Sequence, residues 1–477
     1  MMPERRPDIK GPGGFAPLSG DRGSGTVYLL SSEASVLGSR VDMVLSGLRP
    51  AVMIRGFKKK IDWKPGKDIP RDIVRGLRAY RNDGLFASLS DNLALNFFEV
   101  YMVAVGGGNR EVGAMAAVAN LLGFISLIPG VAAVRWLGRR RPVVLIGGGG
   151  IGRLMYLGLA LVPFLFPEPA LAIPAVIVFN GIRVFMGNFS NPAWTNMTAD
   201  LVPERVRGPY FASRNAYIAV AATIATLSSG WIVSRGNALT RHPLLGYAFL
   251  FAATFGIGMV STYYFSKVPD LCGDAIARER RPLAALVRGF LGYPAFLGFL
   301  AFTFLWNFAL QISGPFFNVY MVRDLGAPAT MVGFAAAATN IMQIFALPFW
   351  GRFVDKRGDL RGLVLTGVLI PLLPLAWLLT TEPWHPAVIN LASGFLWAGF
   401  NLANFNLLLK MIPASDRQEG AAMYQALVLL STVLGPVVGA EIANATGYKA
   451  AFLTSGLCRY VALAALYFLV IRRLRKP

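Results

Sequence analysis

Six ionisable residues lie inside stretches of the sequence that are otherwise apolar. They are Asp91, Glu99, Arg153, Arg183, Glu441 and Arg459. A charged side chain at the centre of a bilayer costs at least ~2.5 kcal/mol unless it is paired or hydrated, so each of them is a candidate functional residue. A carboxylate next to an arginine in a cavity can change its protonation when a ligand binds. These residue types therefore point to coupling of protons or solute, and the alternative is a structural ion pair between helices.

Other kinds of chemistry have little support. Cys272 and Cys458 lie far apart, which indicates neither a disulfide framework nor a metal site. His242 and His385 are too few to build a zinc or haem centre with them. No nucleophile–histidine arrangement is visible in the sequence. We therefore predict a protein that is not an enzyme and uses no cofactor.

The stretches that carry the six charges are long enough to cross a membrane. The chain has 477 residues, of which 55% are hydrophobic and 15% charged, whereas soluble proteins average about 25% charged residues. Its apolar runs reach about 20 residues, the length of a membrane-spanning helix. We predict an all-α membrane protein with twelve spanning helices, at 84–105, 111–134, 143–166, 171–193, 215–235, 246–266, 295–322, 330–352, 362–381, 387–410, 420–445 and 450–472.

The distribution of basic residues predicts the orientation. If the N-terminus is cytoplasmic, the loops that face the cytoplasm carry most of the Lys and Arg, even when the first 75 residues are left out. Cytoplasmic loops of membrane proteins accumulate such residues. The same rule accounts for the net charge of +21, so we predict no nucleic-acid partner. Both termini should be cytoplasmic, in an inner (plasma) membrane.

The polar segments outside the predicted spans divide the chain. Residues 1–83 are basic, and we predict a mostly disordered cytoplasmic arm. The lysines at 58–60 could bind anionic lipid headgroups, and Arg71–Arg81 could form a short surface helix that leads into the membrane. Residues 267–294 form a cytoplasmic linker that separates an N-terminal half, 84–266, from a C-terminal half, 295–477.

The two halves repeat each other. The segment Phe97–Val103 reappears as Phe316–Val322 with six of seven residues matching. Further pairs follow in the same order, among them Asn191 with Asn401. Repeats of this kind form two bundles related by an axis along the membrane normal. We predict two pseudo-symmetric bundles of six helices.

The loop between predicted helices 8 and 9 carries a family resemblance. Its glycines, acid and bases (Gly351, Asp355, Lys356, Gly358 and Arg361) resemble the loop signature of the major facilitator superfamily, whose members are twelve-helix transporters. Asp200, Pro203 and Arg207 are similar to the helix 4–5 loop of sugar-porter-type members. The resemblance implies that Asp355 and these neighbours, with Arg207, form a gating latch. Two departures are visible, because Asp359 stands where the family usually has a base and Arg135 replaces the acid in the first half.

The resemblance also implies which helices surround the central cavity. Helices 1, 4, 7 and 10 line it in that family, while 3, 6, 9 and 12 lie outside. Asp91 and Glu99 on helix 1 and Arg183 on helix 4 are then the coupling residues, and we expect Asp91 to pair with Arg183. Arg153 and Arg459 fall on outer helices and have no predicted role. The candidates for solute contact are amides and indoles on helices 4, 7 and 10: Asn180, Asn188, Trp306, Asn307, Gln311, Trp397 and Asn401.

Such a lining suits a polar, largely neutral organic solute such as a sugar, although amides and indoles also serve as helix-packing residues. We predict a monomeric secondary transporter that moves a small organic solute by alternating access, with proton coupling favoured over facilitated diffusion. Two alternatives remain open. One is a multidrug exporter, since Gly435-Pro436 resembles a bend of drug/proton antiporters, but those proteins carry it in helix 5. The other is a non-transporting membrane scaffold.

Overall fold

Helices make up the secondary structure of the chain wherever a computed structural model describes it, at residues 69–271, 292–412 and 417–472. Eleven helices among these residues are long and apolar enough to cross a membrane. Most of the predicted arm and of the predicted linker lies outside the described residues. The described part therefore tests the spanning helices and their packing.

Twelve helical segments correspond to the predicted spans. In the N-terminal half they are α1 (Arg71–Ala94 and Phe98–Ala104), α2 (Asn109–Leu137), α3 (Arg141–Leu165), α4 (Pro169–Leu201), α5 (Arg207–Thr240) and α6 (Leu245–Ser266). In the C-terminal half they are α7 (Pro294–Arg323), α8 (Ala329–Arg357), α9 (Asp359–Leu379), α10 (His385–Met411), α11 (Arg417–Thr446) and α12 (Tyr448–Ile471). The predicted fold class, an all-α membrane protein of two pseudo-symmetric six-helix bundles, is confirmed.

Helix α1 differs most from its prediction. It begins at Arg71 and not at 84, so residues 71–83, which were assigned to the arm with a possible surface helix at Arg71–Arg81, are the first turns of α1 itself. Leu77 and Tyr80 are buried there in a cluster with Leu201 and Tyr210, and the Tyr210 hydroxyl donates to the Leu77 carbonyl at 2.7 Å. Packing of this one apolar face stabilises the helix despite its charged residues. Because of the same charged residues, α1 is not among the eleven helices that are apolar enough to cross a membrane.

Equivalent breaks interrupt the first helix of each half. In α1 the regular helix stops between Ala94 and Phe98, and in α7 a 3₁₀ turn covers Gly314–Phe316. The two breaks meet, because Asn318 Nδ2 donates to the Asn96 carbonyl at 3.3 Å. Broken helices at the repeat interface are typical of solute and ion sites in transporters. Because of the break, Asp91 and Glu99 do not lie on one continuous helix.

The two halves pack through α2 against α11 and through α5 against α8. Glycines allow the close approach at these crossings. A Cβ at Gly230 would clash with the Ala329 carbonyl, and one at Gly113 would lie 2.6 Å from the Ala440 methyl. Larger residues at these positions would force the helices apart.

Contacts between the halves concentrate at one end of the bundle. We call the end at which α1 begins and α12 ends the terminal end, and the other the opposite end. Arg110 pairs with Glu441 at 2.9 Å, and Arg323 Nη2 donates to the Gly107 carbonyl at 2.7 Å; all four residues lie at the opposite end. At the terminal end, the ion pairs given for the described residues each join residues of the same half. This conformation is therefore held closed at the opposite end.

Candidate functional site

A cavity of about 390 Å³ lies within the N-terminal half. Residues of α1, α3, α4, α5 and α6 line it. Its charged lining residues are Asp83, Asp91, Arg153, Arg183 and Arg214. Its volume falls within the range of small-molecule sites, ~300–1,000 Å³. The predicted candidates Asp91, Arg183 and Asn188 therefore line the same cavity.

Glycines in α3 shape this cavity. Residues Gly147–Gly152 form a π-helical segment, a feature frequently found at functional sites. The Gly148 amide donates to Ser190 Oγ at 2.7 Å, which brings α3 close to α4. On α6, a Cβ at Gly258 would lie 2.6 Å from Arg153 Cδ, so the absence of a side chain there admits Arg153. Helices α3 and α6, which the family resemblance placed outside, therefore line this cavity.

Asp91 is paired with Arg153. The Arg153 Nη1 group donates to Asp91 Oδ1 and, at 2.9 Å, to Ser90 Oγ. The Arg153 side chain is 12% exposed and that of Asp91 55%, so a buried cation meets a carboxylate that faces the cavity. The predicted Asp91–Arg183 pair is wrong. The partner of Asp91 is Arg153 of α3, a residue to which the sequence analysis gave no role.

Arg183 has neutral partners. Its Nε and Nη2 groups donate to Asn180 Oδ1 at 3.1 and 2.8 Å, and its guanidinium lies 4.4 Å from the centre of the Phe98 ring. Its Nη1 lies 3.5 Å from the Tyr156 hydroxyl, which in turn lies 3.4 Å from Asp91 Oδ1. Tyr156 was not predicted, and it links the ion pair to Arg183. Asn180 therefore orients Arg183 and is not itself among the residues that line the cavity.

The sequence analysis missed a second polar group that lines the cavity, because it assigned Asp83 to the arm. Asp83 accepts a hydrogen bond from Ser261 Oγ at 2.7 Å. The Arg214 guanidinium lies 4.2 Å from the Tyr80 ring centre. The signal in the sequence was the spacing of Asp83 and Asp91, since two acids eight residues apart lie about 80° apart around a helix.

Glu99 lies beyond the break in α1 and is half-buried. It follows Phe98 directly and interacts electrostatically with Arg183. It does not belong to the lining of the cavity in the N-terminal half. Its role in coupling stays a prediction.

A smaller cavity of about 90 Å³ lies in the C-terminal half, lined by α7, α10 and α11. Four predicted residues meet there: Trp306, Asn307, Trp397 and Asn401. Trp306 stacks on Phe400 with ring centres 4.8 Å apart, and its buried Nε1 has no hydrogen-bond partner among the described residues. This lining carries no charged side chain. Gln311, also predicted, packs instead against Gly435 of α11.

The predicted gating loop is a tight turn. Helix α8 ends at Arg357, Gly358 has φ +86°, and α9 begins at Asp359. Asp355 is exposed, and it takes part in none of the ion pairs given for the described residues. Asp359 is the bound acid, accepting from Lys410 Nζ and, at 2.8 Å, from Asn406 Nδ2. The residue that departs from the family pattern therefore makes the contact.

Among the ion pairs given for the described residues, none joins the remaining predicted loop residues to this turn. Gly351 lies in the last turns of α8, while Lys356 and Arg361 are exposed on either side of the turn. Arg207 opens α5, with Nη1 3.9 Å from Glu204. The latch role of Asp355 and these neighbours stays a prediction, since this conformation is closed at the other end.

An equivalent contact exists in the first half with its charges exchanged. Arg140, in the turn between α2 and α3, pairs with Asp200 near the end of α4. Asp359, in the turn between α8 and α9, pairs with Lys410 near the end of α10. Each pair ties a turn at the terminal end to the lining helix of its own half.

Arg459 occupies the contact between α12 and α7. It is 3% exposed, and its Nη2 lies 3.1 Å from Ser313 Oγ. Its Nε has no hydrogen-bond partner among the described residues. Its position on an outer helix agrees with the sequence-based assignment.

Comparison with known proteins adds the family. The family model described as Major Facilitator Superfamily matches residues 303–477. The multi-drug resistance efflux pump PmrA of Streptococcus pneumoniae is 26% identical over 80% of this chain and 92% of its own length. The structure of the nucleoside transporter NupG superposes with a TM-score of 0.66 at 14% identity, over 82% of this chain and 99% of that one. A bacterial homologue of the iron transporter ferroportin, in an inward-facing state, gives 0.64 at 15% identity over 82% and 98%.

The relative and the two structures each extend over both halves, beyond the C-terminal region that the family model matches. Two six-helix bundles are what the sequence predicted for this architecture. The resemblance to the major facilitator superfamily that the sequence predicted is confirmed.

Proposed function

We propose that the protein moves a small organic solute across the plasma membrane by alternating access, with Asp91 as the coupling acid and the terminal end in the cytoplasm. The observation that carries the proposal is the concentration of inter-half contacts at the opposite end, while each half keeps its own polar cavity. Rocking of the two halves would break the contacts at Arg110 and Arg323 and form new ones at the terminal end.

The Asp91–Arg153 pair supports coupling. Protonation of Asp91 would remove the charge that balances the buried Arg153, and a buried cation without a partner is strongly destabilising. The protonated state therefore favours any rearrangement or ligand that supplies Arg153 with a new acceptor. Through this linkage the proton and the conformation change each other's equilibrium.

A second candidate is export of several unrelated organic compounds. The similarity to a protein named as a multi-drug efflux pump favours it. Transport assays with reconstituted protein separate the candidates, because a multidrug exporter should carry chemically unrelated dyes whereas a selective carrier should not.

Distance measurements test alternating access directly. Spin labels on a protein whose native cysteines are replaced by serine should be placed at Glu168 and Glu382 for the opposite end, and at Arg205 and Arg352 for the terminal end. These four residues are exposed. On going from about pH 8 to about pH 5, where carboxylates begin to titrate, we expect a second population that is longer at the opposite end and shorter at the terminal end. One unchanging distribution at both ends, with and without transported solute, would overturn the proposal.

A further inference from the structure

The charges around the cavity in the N-terminal half are unbalanced. Asp83 and Asp91 face Arg153, Arg183 and Arg214, so the lining has more bases than acids. Asp91 forms an ion pair with Arg153, and Asp83 accepts a hydrogen bond from Ser261. Arg214 is buried against the Tyr80 ring. Neither carboxylate of the lining forms an ion pair with Arg183 or Arg214 among the described residues, and Arg183 is the more exposed of these two bases.

The surroundings of Arg183 hold its guanidinium in place without neutralising it. Two of its nitrogens donate to one neutral oxygen, Asn180 Oδ1, and Asn180 is only 5% exposed. The Phe98 ring supports one face of the group. Among the described residues no carboxylate forms an ion pair with Arg183; Glu99 acts on it only at longer range. Because the fork is already oriented, little side-chain freedom is lost when an anion binds.

The rest of the lining supplies complementary surfaces. Trp194, Phe265 and Tyr156 give the cavity an aromatic wall. Asn188 uses its amide nitrogen on the Val184 carbonyl at 3.0 Å, which leaves its oxygen for a donor. An arginine fork binds carboxylates with two parallel hydrogen bonds, and ring faces bind aromatic or aliphatic bodies.

On the basis that the protein is a solute carrier, we propose that its substrate is an organic monoanion with an aromatic or apolar body, whose acidic group binds Arg183 in the N-terminal cavity. This substrate differs from the largely neutral, sugar-like solute that the amide candidates predicted. Asn180 is the positioning residue for Arg183.

A cationic substrate is less compatible with this cavity. Asp91 already pairs with Arg153 through Oδ1, and three bases face two acids around the cavity. A cation would add to this excess of positive charge, whereas an anion at Arg183 would reduce it.

Calorimetric titration of the purified protein tests the assignment with three probes that share one skeleton: naphthoate, naphthamide and naphthylmethylammonium. We expect naphthoate to bind at least about tenfold more tightly than either of the others, as charge-assisted hydrogen bonds require. Arg183→Gln should abolish the preference, and Arg183→Lys should keep part of it. Arg235→Gln removes the same charge from an exposed position and should change nothing.

Each other result is decisive. Tighter binding of the ammonium probe, equal binding of all three, absence of naphthoate binding, or a preference that survives Arg183→Gln would overturn the assignment. Should Arg183→Gln fail to fold, the result with Arg183→Lys decides in the same way. Failure here is distinguishable from failure of alternating access, because the spin-label distances do not depend on these probes. If the spin-label distances show both conformations but the ammonium probe binds more tightly, alternating access would still be supported and the anionic substrate would be ruled out.

Discussion

Asp91 and Arg153 depend on each other unequally. Arg153 is almost buried whereas more than half of the Asp91 side chain is exposed. Loss of the acid therefore leaves an almost buried cation whose remaining hydrogen-bond partner among the described residues is Ser90, while loss of the base leaves a carboxylate that water can reach. An unpaired buried group costs its desolvation penalty, whereas a hydrated one costs little.

We expect Asp91→Asn to lower the free energy of unfolding by about 1–3 kcal/mol and Arg153→Gln to lower it by less. The double variant Asp91→Asn/Arg153→Gln should recover most of the loss, because no lone charge remains. Thermal unfolding in detergent, followed by tryptophan fluorescence, measures this. The matched control is Asp91→Asn/Arg183→Gln, which should not recover. Recovery through Arg183, or a larger loss from Arg153→Gln, would show that the pairing is misassigned.

The sequence analysis identified residues that line the cavities more often than it identified the residues they contact. Trp306, Asn307, Trp397 and Asn401 meet around one cavity, as expected from the family resemblance, which placed helices 7 and 10 in the lining. The partner of Asp91 could not be predicted, since it depends on how α3 is rotated and on the space left at Gly258. Neither property is visible in hydrophobicity or in charge spacing.

At the scale of elements, the turns at the terminal end are tied to the lining helices by oppositely built ion pairs. The turn supplies the base, Arg140, in one half and the acid, Asp359, in the other. Asp359 is 6% exposed while the Lys410 side chain is 70% exposed. Charge reversal at the buried acid should therefore be costly, because it places two like charges in contact.

Asp359→Lys should lower the free energy of unfolding by about 1–3 kcal/mol, and adding Lys410→Asp should restore part of it by remaking the pair in reversed order. Arg140→Asp with Asp200→Arg is the matched exchange in the first half. Thermal unfolding and the fraction of monodisperse protein are the readouts. If Asp359→Lys/Lys410→Asp is no more stable than Asp359→Lys alone, the pair does not hold the turn, and Asn406 becomes the relevant partner.

The bounds of α2, α3 and α6–α12 follow the sequence prediction closely because long apolar runs between charged or glycine-containing turns define them. Helices α4 and α5 extend further than predicted, to Leu201 and from Arg207, toward the turn that joins them. The bound of α1 did not follow, since its first turns are charged on one side and only Leu77, Tyr80 and a few neighbours pack. The contact made by Asp359 was also missed. The family pattern drew the prediction to Asp355, while the position of Lys410 at the end of α10 decides which acid is bound.

At the scale of the whole molecule, one end is closed by two kinds of contact. The Arg110–Glu441 pair is bidentate, but its side chains are 64% and 56% exposed. Exposed ion pairs contribute little, since water and salt screen them. Arg323 donates instead to the Gly107 carbonyl at 2.7 Å and lies 3.3 Å from Asn109 Oδ1, an oxygen that also accepts from the Tyr448 hydroxyl at 2.5 Å. These partners belong to different halves, so Arg323 joins the halves through a network.

We therefore expect Arg323→Ala to open the opposite end and Glu441→Gln to leave it nearly unchanged. With spin labels at Glu168 and Glu382, Arg323→Ala should raise the long-distance population severalfold, as loss of a charge-assisted hydrogen bond of about 1.5–3 kcal/mol requires. Arg235→Gln serves as a control at an exposed position of the same end. Salt distinguishes the two contacts further, because screening should weaken the exposed Arg110–Glu441 pair more than the Arg323 network. An equal effect of Arg323→Ala and Glu441→Gln would mean that apolar packing around Tyr101, Tyr320 and Phe452 closes this end, and that neither polar contact controls the exchange.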